Sequence, residues 1–561
     1  MIKNYYFLLF LICSQVCFSQ ARISEEEKIE NLIRVWGLVK YQHPEVSRGN
    51  YNINAEFLSQ VEKLENIGNR QDFNSQVLSW LESLGTKDLK PKENWRKREQ
   101  LFSKNADFEW ISNSGFSKDL QALLKEIQLN KNYKDYYVSI HRLANFVDFT
   151  NDKPLANFDA TNKAHRLLFL AHFWNAMKYW NVNIYLTDTA WSQVLPEMIP
   201  EFIKKDQKSF DLAKEKLFTK LNDSHANYYP SRTLNSLTHF PNFGGRIIND
   251  SLVITRIFNE DSIKENTISV GDIIYSVEGV KLKKYYTDKF SQVISVSNEN
   301  YLKREIENSY LLSSDKDSIK VGALKKNGVK IEEYIRLDTL KYPYEKYQRK
   351  HPEKTENWKM LSEDIGYMNL YEITKDEVDA AFQRFERTKG IIIDLRNYPQ
   401  NISQGTLPKH LYPRRKKFVK ALTPKLPSYG NPDTKTALRW IMNPFAAGRR
   451  NRNYYKGKVI LLVDRSTLSK AEWIGMAIQA APNVITVGEQ SGGAVLNRNE
   501  IMLMDSTSID FTKATAFYPK GPEVHRNGLK LDVEIEESAI NYNKDLYLEI
   551  AKNIIKESRL P

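Results

Sequence analysis

The sequence predicts an α/β protein that has helical regions before its core and a β-rich region between them. Three observations support this fold class. Apolar residues recur at helical spacing from about residue 22 to residue 222. Short alternating apolar runs with Gly-containing turns follow from about residue 243. After residue 341, apolar strands alternate with helix-like segments, which is typical of a sheet covered by helices.

The length and composition of the chain allow several packed domains. It has 561 residues, of which 41% are apolar and 12% aromatic, so three or four domains with buried cores are expected. The formal net charge of +13 is mild for this length, and the basic residues look scattered apart from small clusters at 414–417 and 449–452. No nucleic-acid motif is present, and we interpret the charge as a solvated surface that tolerates an anionic envelope.

Residues 1–20 predict a secretion signal. Lys3 gives the positive start, residues 5–13 form an apolar run too short to span a bilayer, and cleavage is expected near Gln20. No later stretch of the sequence reaches transmembrane length. The pattern predicts an exported protein that is periplasmic, envelope-associated or secreted.

Cysteine usage agrees with this assignment. Both cysteines, Cys13 and Cys17, lie in the predicted signal. The mature chain is therefore expected to have no disulfide, no thiol nucleophile and no cysteine metal site. Lipidation of Cys17 stays an open alternative, although the residues before it form a poor lipidation sequence. The sequence contains no phosphate loop, zinc-binding spacing or dinucleotide fingerprint, and no cofactor is predicted.

Residues 21–155 are predicted to form an N-terminal helical domain, which begins with a helix over 25–41. The end of that helix carries the pattern W-x-x-x-K-Y, and the same pattern recurs 138 positions later. The matched residues are Trp36, Lys40 and Tyr41 in the first copy and Trp174, Lys178 and Tyr179 in the second. Either a duplicated helical unit or a chance similarity of two amphipathic helices explains this repetition.

Residues 156–242 continue as a helical block that contains the sequence LNDSHANYYP at 221–230. Residues 243–338 then show a β pattern. Gly271 and Asp272 precede an apolar pair that begins at Ile273, and a Glu278-Gly279 turn follows. This hairpin pattern resembles a PDZ-like domain, which binds an extended peptide by adding it as a strand to a sheet edge. Gly271, Asp272 and Ile273 are therefore our candidate substrate-binding residues.

Residues 339–545 are predicted to form the α/β core, and 546–561 a C-terminal helix or tail. Apolar strands alternate with helices in this core. The predicted strands are 365–371, 391–395, 459–463 and 484–487, and the predicted helices are 376–388 and 471–481. The Pro-, Lys- and Arg-rich residues 402–455 interrupt the alternation and can form a lid or a substrate wall.

The sequence VDRSTLSKAE at 463–472 marks a sharp change from the third strand to a helix. Enzymes use such a turn to expose a nucleophile, because the unpaired N–H groups and the positive dipole end of the helix stabilise a developing oxyanion. Ser466, Thr467 and Ser469 are the candidate hydroxyls. An ordinary helix cap explains the same pattern, since Glu472 stands three positions after Ser469.

Several sequence pieces occur in a defined order. The helical block ends in D-S-H-A, and the PDZ-like region follows it. Next come D-L-R-N-Y-P from Asp394, S-T-L-S-K-A-E from Ser466, V-G-E-Q-S-G-G-A from Val487 and G-L-K-L-D-V from Gly528. Over residues 160–540 this order resembles the C-terminal processing peptidases and their tricorn-type relatives. The resemblance implies a serine peptidase with a crotonase-like, ClpP-like α/β core.

The resemblance also assigns roles near the strand-to-helix turn. Ser469 stands where the family has its nucleophile, two residues before a small residue followed by Glu. The backbone N–H of Lys470 would then donate to the oxyanion. A second donor usually follows D-x-R-x-N-P-G-G, and here that places the backbone of Gln400 in this role. The glycine pair of the family is replaced by Gln400 and Asn401, so the close approach is less assured.

The base expected for the serine depends on the branch of the family. One branch uses a lysine, but the corresponding position here is Ala494. The tricorn-like branch uses a histidine from an S-H element, which this chain has at Ser224 and His225. We therefore predict His225 as the general base and acid. Asp223 or Ser224 would orient its ring.

The usual acid of the family lies three residues before the glycine of G-x-x-P-D. Here that glycine is Gly528, so the position holds His525 rather than Glu. Glu523 is the nearest acidic candidate. A further departure is Leu531, which replaces the expected proline.

These features predict a secreted serine endopeptidase that acts on extended proteins or peptides. No nucleic-acid partner is expected, envelope association is one of the alternatives for its location, and the oligomeric state is not determined by the sequence. The alternative is a peptide-binding or scaffolding protein of the same fold with a weakened site. Ala494, Gln400, Asn401 and His525, which depart from the family pattern, motivate this alternative.

Overall fold

The computed structural model describes residues 22–85, 89, 103–130, 132–140, 147–228, 230–258, 268–339, 356–424, 431–432 and 444–557. The predicted signal, including Cys13 and Cys17, lies outside the described residues. No helix among the described residues is long and apolar enough to cross a membrane.

The region before residue 243 is mainly helical, as predicted. Side-chain caps mark several helix starts; for example, the Ser24 hydroxyl accepts from the Glu27 backbone N–H at 3.1 Å. Strands β1 (Ser139–Ile140) and β2 (Val147–Asp148) form a small antiparallel sheet. The helices are α1 Glu25–Gln42, α2 Pro44–Ser47, α3 Ile53–Leu64, α4 Arg70–Ser83, α5 Trp110–Asn113, α6 Lys118–Leu129, α7 Lys163–Trp180, α8 Trp191–Ile203, α9 Gln207–Thr219 and α10 Arg232–Asn235.

The 138-residue repetition is present in three dimensions. Helices α1 and α7 both have 18 residues, and α3 and α8 begin at positions that are again 138 apart. The indole Nε1 of Trp36 donates to the carbonyl of Ile53 at 2.9 Å, and that of Trp174 donates to the carbonyl of Trp191 at 2.9 Å. A chance similarity would not reproduce this contact, so the structure supports a duplicated helical unit.

The middle of the chain forms an antiparallel sheet with the strand order β3-β4-β5-β7-β8 and with β6 paired to β5. Within the described residues β3 is one edge strand. Helices α11 (Leu282–Phe290) and α12 (Glu299–Glu305) pack against this sheet around an apolar core. The strands are β3 Phe243–Ile248, β4 Ser251–Ile257, β5 Ile273–Val277, β6 Val280–Lys281, β7 Ser318–Leu324 and β8 Lys330–Arg336.

The last part of the chain contains a six-stranded sheet in the order β21-β17-β16-β11-β10-β9, in which only β9 runs antiparallel to its neighbour among the described strands. Parallel strands place their carboxyl ends at one edge of the sheet. The strands are β9 Trp358–Ser362, β10 Ile365–Asn369, β11 Gly390–Asp394, β16 Lys458–Val463, β17 Val484–Gly488 and β21 Val533–Glu534.

Helices α13 (Lys375–Arg384) and α15 (Lys470–Gln479) follow β10 and β16, and α16 (Leu546–Glu557) packs on the opposite face of the sheet. The predicted strands agree with β10, β11, β16 and β17 to within two residues. Helix α13 ends at Arg384, four residues before the predicted end at 388. The Thr388 hydroxyl donates to the carbonyl of Phe385 and closes a turn after the helix. The mixed α/β class is confirmed.

The described residues of the insertion between β11 and β16 form short elements, and a role of the insertion as a lid or substrate wall stays a prediction. The short elements are α14 Pro408–Leu411, β12 Lys416–Lys417, β13 Lys420–Thr423, β14 Asn431–Pro432 and β15 Ala446–Ala447. Strand β13 pairs with β20 (Thr515–Phe517), so the insertion is joined to the end of the core. A separate hairpin of β18 (Arg498–Met502) and β19 (Ser508–Thr512) contacts the helical region, because its apolar residues share the core of the helices.

Candidate active site

Ser469 stands six residues after the end of β16 and immediately before α15. Its backbone has φ 59° and ψ −115°, a conformation that non-glycine residues rarely adopt and that is common at functional turns. The Ser469 hydroxyl donates to the carbonyl of Leu496 at 3.4 Å. Thr467, in contrast, is fully buried, and its hydroxyl donates to the carbonyl of Leu395. The structure therefore uses Thr467 for the turn and presents Ser469 at the helix start.

The backbone N–H groups of Lys470, which follows Ser469, and of Asn401 form no hydrogen bond among the described residues. The predicted second donor, the N–H of Gln400, donates to the carbonyl of Tyr371 at 2.8 Å. The carbonyl of Gln400 accepts from the Lys470 ammonium at 2.9 Å, which holds this segment next to the start of α15. Of the two predicted oxyanion donors, the structure leaves Lys470 open and engages Gln400.

Glu472 braces the turn from inside the core. Its carboxylate accepts from the Ser491 hydroxyl at 2.6 Å and from the backbone N–H groups of Gly493 at 2.8 Å, Ala494 at 3.0 Å and Ser469 at 3.3 Å. Burial raises the pKa of Glu472 to about 7, although these donors favour its charged form. One carboxylate thus ties the serine backbone to the loop at 491–496.

His225 is buried at the end of the second helical unit. Its backbone N–H donates to Asp223 Oδ1 at 3.0 Å, and its ring Nδ1 lies 2.9 Å from the Thr512 hydroxyl. That hydroxyl donates to Asp223 Oδ1 at 2.7 Å, and the Thr512 backbone N–H donates to Asp223 Oδ2 at 2.6 Å. Burial lowers the pKa of His225 to about 4, and Asp223 opposes this shift.

Ser224 positions the histidine segment rather than the ring. Its hydroxyl donates to the carbonyl of Gly492 at 2.9 Å and accepts from the Ser297 backbone N–H at 2.9 Å. The N–H of Gly492 in turn donates to the carbonyl of Thr467 at 2.9 Å. Ser224 and Ser469 therefore contact the same loop. No hydrogen bond among the described residues joins the Ser469 hydroxyl directly to the His225 ring.

Neither Glu523 nor the residue at the family's acid position, His525, forms a hydrogen bond with the His225 ring among the described residues. Glu523 accepts from the Tyr185 hydroxyl at 3.4 Å and forms no hydrogen bond with His225 among the described residues, so its role stays a prediction. His525 is buried close enough to Asp223 for its charge to influence the carboxyl. Burial lowers the pKa of His525, and its Nδ1 has no hydrogen-bond partner in the described part of the chain.

A buried arginine links the serine turn to the antiparallel sheet. Arg465 binds both carboxylate oxygens of Glu489 at 2.9 and 2.8 Å, and it also donates to Glu307 at 2.8 Å and to the carbonyl of Ile247 at 3.1 Å. Glu307 accepts from the Ile247 backbone N–H at 2.6 Å. The outward backbone groups of β3 at Ile247 are therefore engaged by side chains.

The predicted substrate-binding residues lie inside the sheet. Ile273 pairs with Val253 on one side and Leu324 on the other, so it offers no free strand edge. Gly271 has φ +95° and forms the turn before β5, while Asp272 binds Lys325. Contact of these residues with a substrate stays a prediction. Strand addition would need the edge strand β3 instead.

Sequence reasoning missed Thr512, Ser491 and Arg465. Thr512 lies 287 positions from His225 on a hairpin strand, and no motif marks it. The contacts of Glu472 exceed the cap that its spacing predicted. Among the described residues, no group of three His, Cys, Asp or Glu residues could hold a metal ion.

A family model matches part of the α/β core. Residues 364–535 match peptidase family S41, which confirms the resemblance to C-terminal processing peptidases predicted from the ordered motifs. Ser469, Gln400 and Glu523 lie inside the matched region, whereas Ser224 and His225 precede it. No curated protein matches the chain at a significant level.

Two solved structures of mature CPAF share the fold at low sequence identity. Mature CPAF complexed with lactacystin has a TM-score of 0.52 at 11% identity, covering 70% of this chain and 97% of CPAF. Mature CPAF gives 0.52 at 10%, covering 71% and 98%. A putative peptidase from Parabacteroides merdae ATCC 43184 gives 0.40 at 14%, covering 69% and 95%. The family match supports a peptidase that acts on proteins or peptides.

Proposed function

We propose that this S41-type chain is a serine endopeptidase in which Ser469 is the nucleophile and His225 the general base. One observation carries the proposal. Two segments 244 positions apart, at Ser224–His225 and at Ser469, converge on the loop at 491–496. The Ser224 hydroxyl binds the carbonyl of Gly492 at 2.9 Å, and the Ser469 hydroxyl binds that of Leu496 at 3.4 Å.

The hydrogen bonds around His225 support its role as a base. A carboxylate can only accept hydrogen bonds, so the Thr512 hydroxyl donates its single proton to Asp223. The same hydroxyl must then accept a hydrogen bond from the His225 Nδ1–H. This assignment leaves Nε2 with the lone pair. The lowered pKa keeps the ring neutral at pH 7, so Nε2 can take a proton. Thr512 and Asp223 act here as positioning residues, in the place of a direct carboxylate partner.

The reaction would proceed as acyl transfer. The Ser469 oxygen attacks the scissile carbonyl carbon while its proton passes to His225 Nε2. The oxyanion that forms accepts from the Lys470 N–H at the positive end of α15. His225 then gives its proton to the departing amine as the C–N bond breaks. Water, deprotonated by the same ring, attacks the acyl-enzyme ester and restores Ser469.

Domain roles and location complete the proposal. The sheet β3-β4-β5-β7-β8 is proposed as a PDZ-like module that feeds an extended polypeptide towards Ser469, with the core as a crotonase-like fold. Residues 1–20 are proposed to direct export to the periplasm or envelope, which sequencing of the mature N-terminus would test.

Labelling with a fluorophosphonate probe tests the proposed function. We expect covalent modification at Ser469, identified by peptide mass mapping, and none in Ser469→Ala. Ser466→Ala serves as the matched control, because Ser466 lies on the same turn and its label should be unchanged. A folded wild-type protein that takes no label would sink the proposal.

One specific observation favours the second candidate, a scaffold with a weakened site. The Gln400 N–H, needed as an oxyanion donor, is engaged by Tyr371 at 2.8 Å. A scaffold would bind extended peptides without hydrolysing them. The two candidates differ in the labelling experiment, because only the peptidase activates Ser469.

A further inference from the structure

The net charge of the chain is concentrated in one insertion. Residues 402–458 contain 14 Lys or Arg residues and a single acidic residue, Asp433. Removing these from the chain totals of 82 basic and 69 acidic residues leaves 68 of each. Basic and acidic residues are therefore equal in number in the rest of the protein. The basic residues are scattered along the sequence, but the excess of positive charge is not, because it lies in this insertion.

Pairing of two short strands gathers part of this charge on one surface. Strand β12 runs antiparallel to β15, with Lys416 opposite Ala447, and the N–H of Asn451 donates to the carbonyl of Pro413 at 3.0 Å. The exposed side chains brought together are Arg414, Lys416, Arg449, Arg450 and Arg452, which we name the basic ridge. No acidic side chain of the described residues forms an ion pair with any of them.

The basic ridge is attached to the helix that begins at Ser469. The Tyr412 hydroxyl donates to the carbonyl of Ala477, and the rings of Phe418 and Trp473 lie 5.0 Å apart. The Lys416 ammonium donates to the carbonyl of Ala480 at 2.9 Å, at the carboxyl end of α15. A helix of this length spans about 15 Å. About five residues of extended chain cover the same distance.

We propose that the basic ridge binds acidic segments of polypeptide substrates and holds them about five residues from the bond that Ser469 attacks. This inference deepens the proposed function and rests on it, because the bound segment is a substrate only if the protein is a peptidase. Exposed charges of one sign on a neutral background attract the opposite charge and select partners through salt-dependent association. The basic ridge packs on α15, the helix that follows Ser469. This position favours a polypeptide substrate as its partner, because a substrate has to reach Ser469 and a membrane does not.

The test measures binding without catalysis, in full-length Ser469→Ala. The probe is a fluorescein-labelled 16-residue peptide with a block of Asp and Glu, compared with the same peptide carrying Asn and Gln. By fluorescence anisotropy at 50 mM salt we expect the acidic peptide to bind about tenfold more tightly, with the preference lost at 500 mM salt as the charges are screened. The triple variant Arg449→Gln, Arg450→Gln, Arg452→Gln should lose the preference.

A matched variant controls for loss of charge alone. Lys204, Lys205 and Lys208 are also exposed and clustered, but they lie in the helical region. Their replacement by Gln should leave the preference intact. Equal binding of the two peptides, or equal loss in both triple variants, would overturn the proposal.

Two further outcomes separate the alternatives. If Ser469→Ala sediments with phosphatidylglycerol vesicles through the ridge while the acidic peptide shows no preference, the occupant is a lipid surface and the proposal is wrong. If the wild-type protein takes no fluorophosphonate label but the ridge-dependent preference persists, the proposed hydrolysis fails and the docking surface stands.

Discussion

The two helical units, α1-α3-α4 and α7-α8-α9, have the same architecture but different ends. The second unit leads directly into Asp223-Ser224-His225, which contact the loop beside Ser469. The positions 138 residues earlier hold Gly85, Thr86 and Lys87, of which only Gly85 is described. The comparison teaches that the repeated helices act as a support, whereas the proposed chemistry depends on three residues that follow the last helix of the second unit.

The two units meet through equivalent residues. Gly37 faces Asn175, the position 138 residues later, and a Cβ on Gly37 would lie 1.8 Å from Asn175 Oδ1. The Asn175 amide donates to the carbonyls of Ile33 and Ala171, themselves an equivalent pair, at 2.9 Å each. This contact places an approximate two-fold axis between α1 and α7. The symmetry is broken at this pair of positions, because residue 37 must be glycine to leave space for the side chain of Asn175.

Equivalent lysines are also buried with different partners. The Lys40 ammonium donates to Asp152 at 2.6 Å, and His172 lies 2.8 Å from the same carboxylate. Lys178 instead approaches the carbonyl of Asn105 at 3.5 Å. Burial lowers the pKa of Lys178 to about 8, whereas for Lys40 the same effect is opposed by Asp152. The loops around the units, rather than the helices, therefore set the local chemistry.

The largest effect should come from His225→Ala. Loss of the base should slow fluorophosphonate labelling of Ser469 by about 10³-fold, measured as the pseudo-first-order rate. Lys87→Ala, at the equivalent position after the first unit, should label at the wild-type rate. Equal rates in wild type and His225→Ala would remove the chemical distinction between the units.

Gly37→Asn tests the two-fold contact. An added side chain at this close approach should destabilise the fold by about 2–3 kcal/mol, seen as a lower thermal midpoint. The swap Gly37→Asn with Asn175→Gly should recover most of that loss, because the amide would then donate across the same axis from the other side. A swap as unstable as the single variant would show that the symmetry does not extend to this contact.

Thr512→Val should slow labelling about tenfold, because the His225 Nδ1–H would lose its acceptor and the ring its preferred orientation. Thr512→Ser keeps the hydroxyl and should restore most of the rate, which a purely structural role for the methyl group would not predict. Circular dichroism of both variants controls for folding. Identical rates for Val and Ser would exclude the relay.

Matched indole variants should give a smaller effect. Trp36→Phe and Trp174→Phe each remove one buried hydrogen bond of 2.9 Å and should each cost about 1 kcal/mol of unfolding free energy. The urea midpoint of each variant measures this loss. Strongly unequal losses would show that the two units contribute differently despite their shared contact.

The smallest effect concerns pH. The groups that face His225 with charge are Asp223, His525 and Arg498, and burial holds its pKa at about 4. The ring is neutral above that value. In Glu472→Gln, which removes the carboxyl whose pKa is about 7, the labelling rate should therefore stay constant from pH 8 to 6 and halve near pH 4. An unfolded ring binds a proton below about 6.5, so the stability contributed by His225 should be lost as pH falls from 6.5 towards 4. A rate that halves near pH 6.5 would contradict the buried, neutral ring.

The features that could be predicted from the sequence are those that depend on local residue patterns. The core strands and the turn at Ser469 follow from apolar runs and from a helix start, both of which are encoded within a few residues. The pairing of His225 with Thr512 could not be predicted, because it depends on where a hairpin 287 positions away packs. The free edge of the sheet was misplaced for a similar reason: the pattern at Gly271 and Ile273 predicts a strand, but only tertiary pairing decides that this strand is central.

The contacts of Arg465 have a consequence for the order in which a newly synthesised chain folds. The turn before Ser469 is held by Glu489, Glu307 and Ile247, and the farthest of these stands 218 positions away. Contacts of such long range form late, because closing large loops is entropically slow. We expect the hydroxyl to gain its working geometry only after the sheet and the core have both folded. Under the proposed peptidase function, a nascent chain would therefore cleave neither itself nor its neighbours before it has folded.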